Sequence, residues 1–186
     1  MATPDDLAMT PDEEVERVVA PILRVVDACM SAGGGAGAGG AGGRGSGSSG
    51  GGAGAGSRRT IAFSSFDPEV CAALRRRQAR HPVLFLSTGG ACAHADPRRM
   101  SLDAAIDLAH ALQLGGVVLD ASVLRQQPAA AGRAAGLGLR VLTYGVDNNE
   151  LEWLRVQHAL GVHAAIADDV PGLMAALCAD GAVDEP

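Results

Sequence analysis

The chain has 186 residues, enough for one domain with a substantial core. Hydrophobic residues make up 47% of it and aromatic residues only 3%, so aliphatic side chains and alanine must form that core. Such a composition suits parallel strands covered by helices. The formal net charge is -6, and all 15 basic residues are arginines. These numbers exclude a nucleic-acid binder with a basic stripe and any chemistry that needs a lysine.

Cysteine use and hydropathy further limit the kinds of protein that this sequence can encode. The four cysteines are scattered without a CxxC pair, which favours reduced thiols inside a cell over a disulfide framework or a metal cluster. No apolar run approaches the roughly 18 residues of a membrane span. The acidic N-terminus has neither a signal-peptide core nor the arginine-rich character of a transit peptide. The sequence therefore predicts a soluble chain with no membrane span.

Residues 1–30 predict an amphipathic helix that packs on the rest of the chain. Thr10 and Glu13 have the spacing of a capping box, and Pro11 occupies the first helical position. Pro21 is expected to kink or split this helix. Apolar residues recur at helical spacing at Val15, Val18, Val19, Ile22, Leu23, Val26 and Met30.

The next segment, residues 31–57, consists almost wholly of glycine, alanine and serine. Because it buries nothing and loses much backbone entropy on ordering, we expect a disordered insertion. It lacks the GxxxxGK[ST] pattern of a phosphate-binding loop. The body follows at 58–178, with a short tail at 179–186.

From Thr60 onward the pattern alternates short apolar runs with helical segments. The predicted strands are 61–65, 83–87, 116–119, 140–144 and 164–167. The predicted helices are 67–81, 101–114, a segment ending near 135, 149–160 and 172–178, with Gly115, Gly136 and Gly161 at their ends. Repeated βα units predict a parallel sheet. An open doubly wound sheet and a (β/α) barrel give the same local signal, so periodicity leaves both open.

Three strings in order, SSFDP, FLSTGG and TYGVDNN, resemble the glycerophosphodiester phosphodiesterase family, and the eukaryotic, plant-type form is the most similar. The segments DPRRMSLDAAI and GVHAAIADDV add to this resemblance, which covers residues 59–175. It implies an α/β fold, namely a partial (β/α) TIM-type barrel with about the last five of eight parallel strands and their covering helices. The insertion at 31–57 would then lie on the face away from the active site.

The resemblance also implies metal-assisted hydrolysis of a glycerophosphodiester to an alcohol and glycerol 3-phosphate. A divalent metal, Mg²⁺ or Ca²⁺, neutralises the phosphoryl oxygens in such a reaction, while imidazoles act as base and acid. The family carries these groups in an HRG motif, an ExD pair, a downstream histidine and a strand glutamate, all in its N-terminal half. The sequence contains neither an HRG string nor an ExD pair. We therefore expect a fragment that is inactive alone, with no catalytic residue and no metal ligand.

The remaining titratable residues do not replace that site. The five histidines, which are not paired with carboxylates at ligand spacing, are expected to be structural or superficial: His81, His94, His110, His158 and His163. Asp168 and Asp169 follow a predicted strand, but adjacent strand residues point to opposite sides. One of them is expected to cap the last helix.

The resemblance implies substrate-binding residues in this chain, although it implies no catalytic ones. The residues that match the family's pocket strings are Ser64, Ser65, Phe66, Thr143 and Tyr144. Phe66 and Tyr144 either face the pocket or pack in the core. Asn148 and Asn149 either bind a polar headgroup or cap a helix, and Asp120 is a weaker candidate.

Three functions stay open on sequence alone. The first is a phosphodiesterase by ancestry acting on a small-molecule glycerophosphodiester. The second is a non-catalytic α/β module with a degenerate phosphate-ester pocket or a role in association, and the third is an unrelated open-sheet enzyme. An incomplete barrel would leave open edges that favour self-association. The cytoplasm and, from the plant-type likeness, the plastid are the expected compartments.

Overall fold

The computed structural model describes residues 10–32 and 60–179. They divide into two units, Met1–Thr60 and Ile61–Pro186, which we treat separately. Most of the predicted insertion at 31–57 and nearly all of the tail at 179–186 lie outside the described residues.

In the first unit, α1 spans Pro11–Ala32. Its capping box is confirmed, because the Thr10 amide donates to Glu13 Oε2 at 2.8 Å and the Glu13 amide donates to Thr10 Oγ1 at 3.3 Å. The Thr10 amide, and then the Thr10 hydroxyl, which donates to the same carboxylate oxygen at 2.9 Å, hold the pKa of Glu13 below its usual value. The helix is not split at Pro21, since a proline removes a single amide donor while the surrounding turns persist. Its packing against the barrel stays a prediction.

The second unit is built on a five-stranded parallel sheet. The strands are β1 Phe63–Ser65, β2 Val83–Ser87, β3 Gly116–Asp120, β4 Arg140–Tyr144 and β5 Ala164–Ala165. Their spatial order equals their chain order, without the reversal that defines a doubly wound sheet. With right-handed crossovers this order places the covering helices on one side. The (β/α) barrel arrangement of the last five strands is therefore confirmed over the doubly wound alternative.

Within residues 60–179, six helices follow these strands. They are α2 Pro68–Arg77, α3 Leu102–Ala111, α4 Ala121–Gln126, α5 Ala129–Gly136, α6 Leu151–Ala159 and α7 Val170–Ala179. Short 3₁₀ turns occur at Pro97–Arg99 and Val146–Asn149. The helical segment after β3 is divided in two at Gln127–Pro128, where the proline has no amide to continue the ladder.

Three helices were predicted to end at a glycine, and two of these predictions were wrong. Gly136 lies inside α5, and Gly138, with φ of 74°, takes the left-handed position instead. Helix α3 ends at Ala111, well before Gly115, and the positive φ of 53° there belongs to Gln113. Gly161 is confirmed, because it follows α6 with φ of 80°.

The sheet has two different sides. Odd-numbered strand residues face the helices, as the bond from Thr143 to Gln157 on α6 shows. We call this the helix side, and five of its apolar residues are at most 1% exposed: Val83, Phe85, Val117, Leu119 and Val141. Even-numbered residues form the inner side, where Leu86 and Leu142 are only half-buried. None of the described helices is long and apolar enough to cross a membrane.

Candidate substrate-binding site

The predicted site residues lie on opposite sides of the sheet, because odd-numbered strand residues face the helices and even-numbered ones face the inner side. Ser64 and Tyr144 lie on the inner side, and Phe66 follows directly after β1. Ser65 and Thr143 lie on the helix side. Since side chains alternate along a strand, Thr143 and Tyr144 cannot line the same surface. The alternation that the sequence predicts for Asp168 and Asp169 also separates Thr143 from Tyr144.

Thr143 belongs to a buried polar cluster. Its hydroxyl donates to the Gln157 side-chain oxygen and accepts from Asn148 Nδ2 at 3.1 Å. Gln157 Nε2 donates to Asn148 Oδ1 at 2.9 Å, and all three residues are at most 1% exposed. The structure therefore does not bring Thr143 to the other predicted pocket residues.

The two asparagines tie the segment after β4 to the chain around β5. Asn148 Nδ2 donates to the Ile166 carbonyl at 2.9 Å. Asn149 accepts from the Asp168 amide at 2.9 Å and donates to its carboxylate at 3.0 Å. Both side chains are engaged with neighbouring segments, and neither makes a side-chain cap at α6.

The serines of the SSFDP string differ in role. Ser65 Oγ accepts the Asp67 amide at 3.0 Å, and Asp67 in turn caps α2 by accepting the Glu69 amide at 2.8 Å. Ser65 is thus part of the turn into α2. Ser64 is exposed on the inner side, where a ligand can reach it.

Phe66 and Tyr144 meet at the carboxyl edge of the sheet. Their ring centroids are 5.9 Å apart with an interplanar angle of 85°, an edge-to-face pair. Phe66 remains 37% exposed, and the Tyr144 hydroxyl donates to the Ser87 carbonyl at 3.4 Å. Burial, and then the nearby Asp120 and Cys92, raise the pKa of Tyr144 to about 12.

Arg99 reaches this ring pair and His94 contacts Arg99, and the sequence predicted neither residue for the site. The Arg99 guanidinium lies 5.9 Å from the Phe66 ring centroid, within the range of a cation–π contact. Its Nη1 is 2.6 Å from His94 Nε2. Both residues belong to the segment between β2 and α3, and the position of DPRR after a strand end was the available signal.

The glycines of the FLSTGG string are needed for this segment to pack closely. Gly89 and Gly90 have φ of 61° and 92°. A Cβ at Gly89 would collide with the Leu102 side chain, and one at Gly90 with the Met100 carbonyl. Only glycine fits both the conformation and the space.

The carboxylates at the same edge are committed to helix caps. Asp120 accepts from the Ser122 amide at 2.9 Å and from its hydroxyl at 2.6 Å. Asp169 accepts the Gly172 amide at 3.0 Å, so its predicted capping role is confirmed. Across residues 10–32 and 60–179, no three His, Cys, Asp or Glu side chains are grouped to hold a metal ion. These donors do not fit a divalent cation.

Comparison with known proteins agrees with the motifs. A model of the glycerophosphoryl diester phosphodiesterase family matches residues 50–171. The glycerophosphocholine phosphodiesterase GDE1 of Eremothecium gossypii is 42% identical over 112 residues, which cover 60% of this chain and 8% of that protein. The glycerophosphodiester phosphodiesterase GDPD3 of Arabidopsis thaliana is 37% identical over 119 residues, which cover 64% of this chain and 32% of that protein.

A solved structure supports the fold. The glycerophosphodiester phosphodiesterase of Parabacteroides distasonis superposes with a TM-score of 0.60 at 14% identity. The match covers 94% of this chain and 56% of that one, so the chain spans little more than half of it and less of the curated relatives. On the family match, the chain belongs to the glycerophosphoryl diester phosphodiesterase family.

Proposed function

We propose that the carboxyl edge of this sheet forms the substrate-side wall of an enzyme that hydrolyses glycerophosphodiesters to an alcohol and glycerol 3-phosphate. The observation that carries the proposal is the partly exposed Phe66–Tyr144 ring pair beside the Arg99 cation. Apolar ring surface suits the carbon skeleton of a small ester, and the cation suits its phosphate. Ser64, on the inner side of β1, adds a hydroxyl for a polar headgroup, and Ser65 supports the turn beside it.

The chain alone is proposed to lack turnover. Its sequence has no HRG string or ExD pair, and Asp120 and Asp169 are used as caps. The Mg²⁺ or Ca²⁺ ion and the acid–base groups expected of the family would have to be held by residues outside those described here. Binding without hydrolysis is the expected behaviour.

The single tyrosine of the chain gives a direct test of binding. With ring-labelled tyrosine, the NMR signal of Tyr144 is expected to move in a saturable way when glycerophosphocholine is added. The single tryptophan, Trp153, lies on α6 and serves as the internal control. Phe66→Leu should weaken the response by removing one ring of the pair. A Tyr144 signal that never moves, with Trp153 also unchanged, would contradict the proposal.

A second candidate function is association, which a specific observation favours. Ile166 is 54% exposed on the inner side, and β1 and β5 each have one unpaired edge in the described sheet. We expect the chain to self-associate, and Ile166→Glu to shift sedimentation toward the monomer. Val156→Glu is the matched control, because Val156 is 47% exposed on α6 and lies away from the inner side. A monomer at all concentrations contradicts this candidate.

For the compartment, we propose the cytoplasm or the plastid. The plastid is supported by one relative, the Arabidopsis thaliana glycerophosphodiester phosphodiesterase GDPD1, whose name includes the word chloroplastic and which is 37% identical over 112 residues. Imaging of a fluorescent fusion carrying the tag at the C-terminus distinguishes the two. A secreted fusion would contradict both.

A further inference from the structure

The adjacent residues Arg98 and Arg99 have opposite electrostatic surroundings. Arg98 is paired with two carboxylates, Asp96 Oδ2 at 2.7 Å and Glu69 Oε1 at 2.8 Å. Hydrogen bonds from Arg98 lower the pKa of Asp96 to about 2, and Asp96, followed by Glu69, raises the pKa of Arg98. For Arg99, the described residues include no carboxylate within ion-pairing distance; its contacts are the Phe66 ring and His94. The charge of Arg98 is therefore neutralised locally and that of Arg99 is not.

His94 does not neutralise the charge of Arg99. Donors face both of its ring nitrogens, since the Asp96 amide lies 3.0 Å from Nδ1 and Arg99 Nη1 lies 2.6 Å from Nε2. A neutral imidazole has a single lone pair on its two nitrogens, so it accepts from one of these donors and not from both. An anionic oxygen placed beside Arg99 and His94 can accept from the N–H groups that this pair leaves unsatisfied.

The pair is held in place by its own segment. The His94 amide lies 3.1 Å from Met100 Sδ as a donor, and Gly90 allows the chain to approach Met100 closely. The segment therefore returns on itself, with His94 and Arg99 presented on the same side. Arg99 also lies over the Phe66 ring, beside Tyr144 at the carboxyl edge.

We propose that Arg99 and His94 form a binding site for the anionic oxygens of a phosphate group, with the Phe66 ring against the attached carbon chain. A guanidinium presents a planar fork that matches phosphate oxygens. The assignment rests on the proposed function in one respect, that the phosphate is taken to belong to a glycerophosphodiester or to glycerol 3-phosphate. Free phosphate has the same chemistry, so the two sources are separated by experiment.

The test is calorimetric titration of the full chain with inorganic phosphate and with glycerol 3-phosphate at constant ionic strength. Arg99→Gln is expected to weaken both by about tenfold, the size of one charge-assisted hydrogen bond. Arg140→Gln removes the same charge at the amino end of β4 and should leave both affinities unchanged. Circular dichroism melts check that the variants fold. Glycerol 3-phosphate binding more tightly than phosphate assigns the site to the ester, and equal affinities assign it to free phosphate.

The outcomes separate this inference from the proposed function. Equal affinities for the Arg99→Gln and Arg140→Gln variants, or no phosphate binding at all, would overturn the Arg99–His94 site. If Tyr144 still responds to glycerophosphocholine with full affinity in Arg99→Gln, the inference fails while the proposed function stands. If phosphate binds through Arg99 but Tyr144 never responds to a diester, the anion site stands and the proposed function fails.

Discussion

The two sides of the sheet are built from neighbouring residues of the same strands, and they differ although Leu84 and Val118 on the inner side are also buried. On the helix side, Phe85, Leu119 and Val141 have no exposed surface, and even the polar Thr143 is fully buried with hydrogen-bond partners. On the inner side, Leu142 is half-buried and Ile166 is 54% exposed. The helix side is therefore the more completely buried of the two, and we propose that the partly exposed inner side contacts a ligand or further chain.

This contrast explains why a residue and its neighbour have different roles. Thr143 and Tyr144 are consecutive, but the first stabilises the covering helix and the second meets Phe66. A strand in a barrel gives one side chain to the core layer and the next to the interior. The proposed site at this edge consists of even-numbered residues and of the segments that follow the strands.

The largest expected effect comes from truncation on the helix side. Phe85→Ala should lower the free energy of unfolding by about 3–5 kcal/mol, because the side chain is fully buried and leaves a cavity. Leu142→Ala on the inner side should cost only about 1 kcal/mol, since part of its surface already meets solvent. Urea denaturation measures both. Equal losses would show that the two sides are not energetically different.

A smaller effect is expected in the buried polar cluster. Asn148→Ala leaves Thr143 and Gln157 without partners and should cost about 2–3 kcal/mol. Asn149→Ala is the matched control next to it, and being exposed it should cost about 1 kcal/mol or less. Thermal melts of the two variants rank them. A larger loss of stability in Asn149→Ala than in Asn148→Ala would mean that the buried polar cluster does not stabilise the helix side.

The smallest expected effect is on the titration of Tyr144, which reports how far the inner side is enclosed. We expect its phenol to titrate near pH 12 in the folded chain and near its ordinary value of 10.0 in urea. The folded-state pKa is raised, so the stability it contributes is present below pH 10 and is lost as the pH rises toward 12. Tyrosinate absorbance follows the titration. Asp120→Asn keeps the α4 cap and should lower the folded pKa, since Asp120 is the second cause of the shift.

An unchanged folded-state midpoint near 10.0 would place the Tyr144 hydroxyl in open water. That result would remove the support that the edge-to-face pair gives to a partly enclosed site.

Much of the fold could be predicted because its signals are local. The bounds of β2 and β4 match their predictions, since each is a short apolar run entered from a proline or glycine turn. The choice between a barrel and a doubly wound sheet could not be made locally, because it depends on which strands pair. Helix ends at Gly115 and Gly136 were misplaced because other residues, Gln113 and Gly138, take the positive φ values.

The sequence predicted only those site residues that belong to the motif strings at the strand ends. Phe66 and Tyr144 lie at the carboxyl ends of β1 and β4, which are not neighbouring strands, and their rings meet at the carboxyl edge of the sheet. Arg99 and His94 reach the same place through the turn at Gly89 and Gly90, which local patterns do not reveal. The helix-side position of Thr143 follows from the alternation of side chains along β4, which puts Thr143 and Tyr144 on opposite sides of the sheet.

The most direct test of the account is release of glycerol 3-phosphate from glycerophosphocholine by the purified chain, with Mg²⁺ or Ca²⁺ and an EDTA control. The account expects binding that Tyr144 reports and no metal-dependent turnover, because the described carboxylates serve as caps and the sequence has neither an HRG string nor an ExD pair. Turnover abolished by EDTA would contradict it, since these residues would then form a complete catalytic centre.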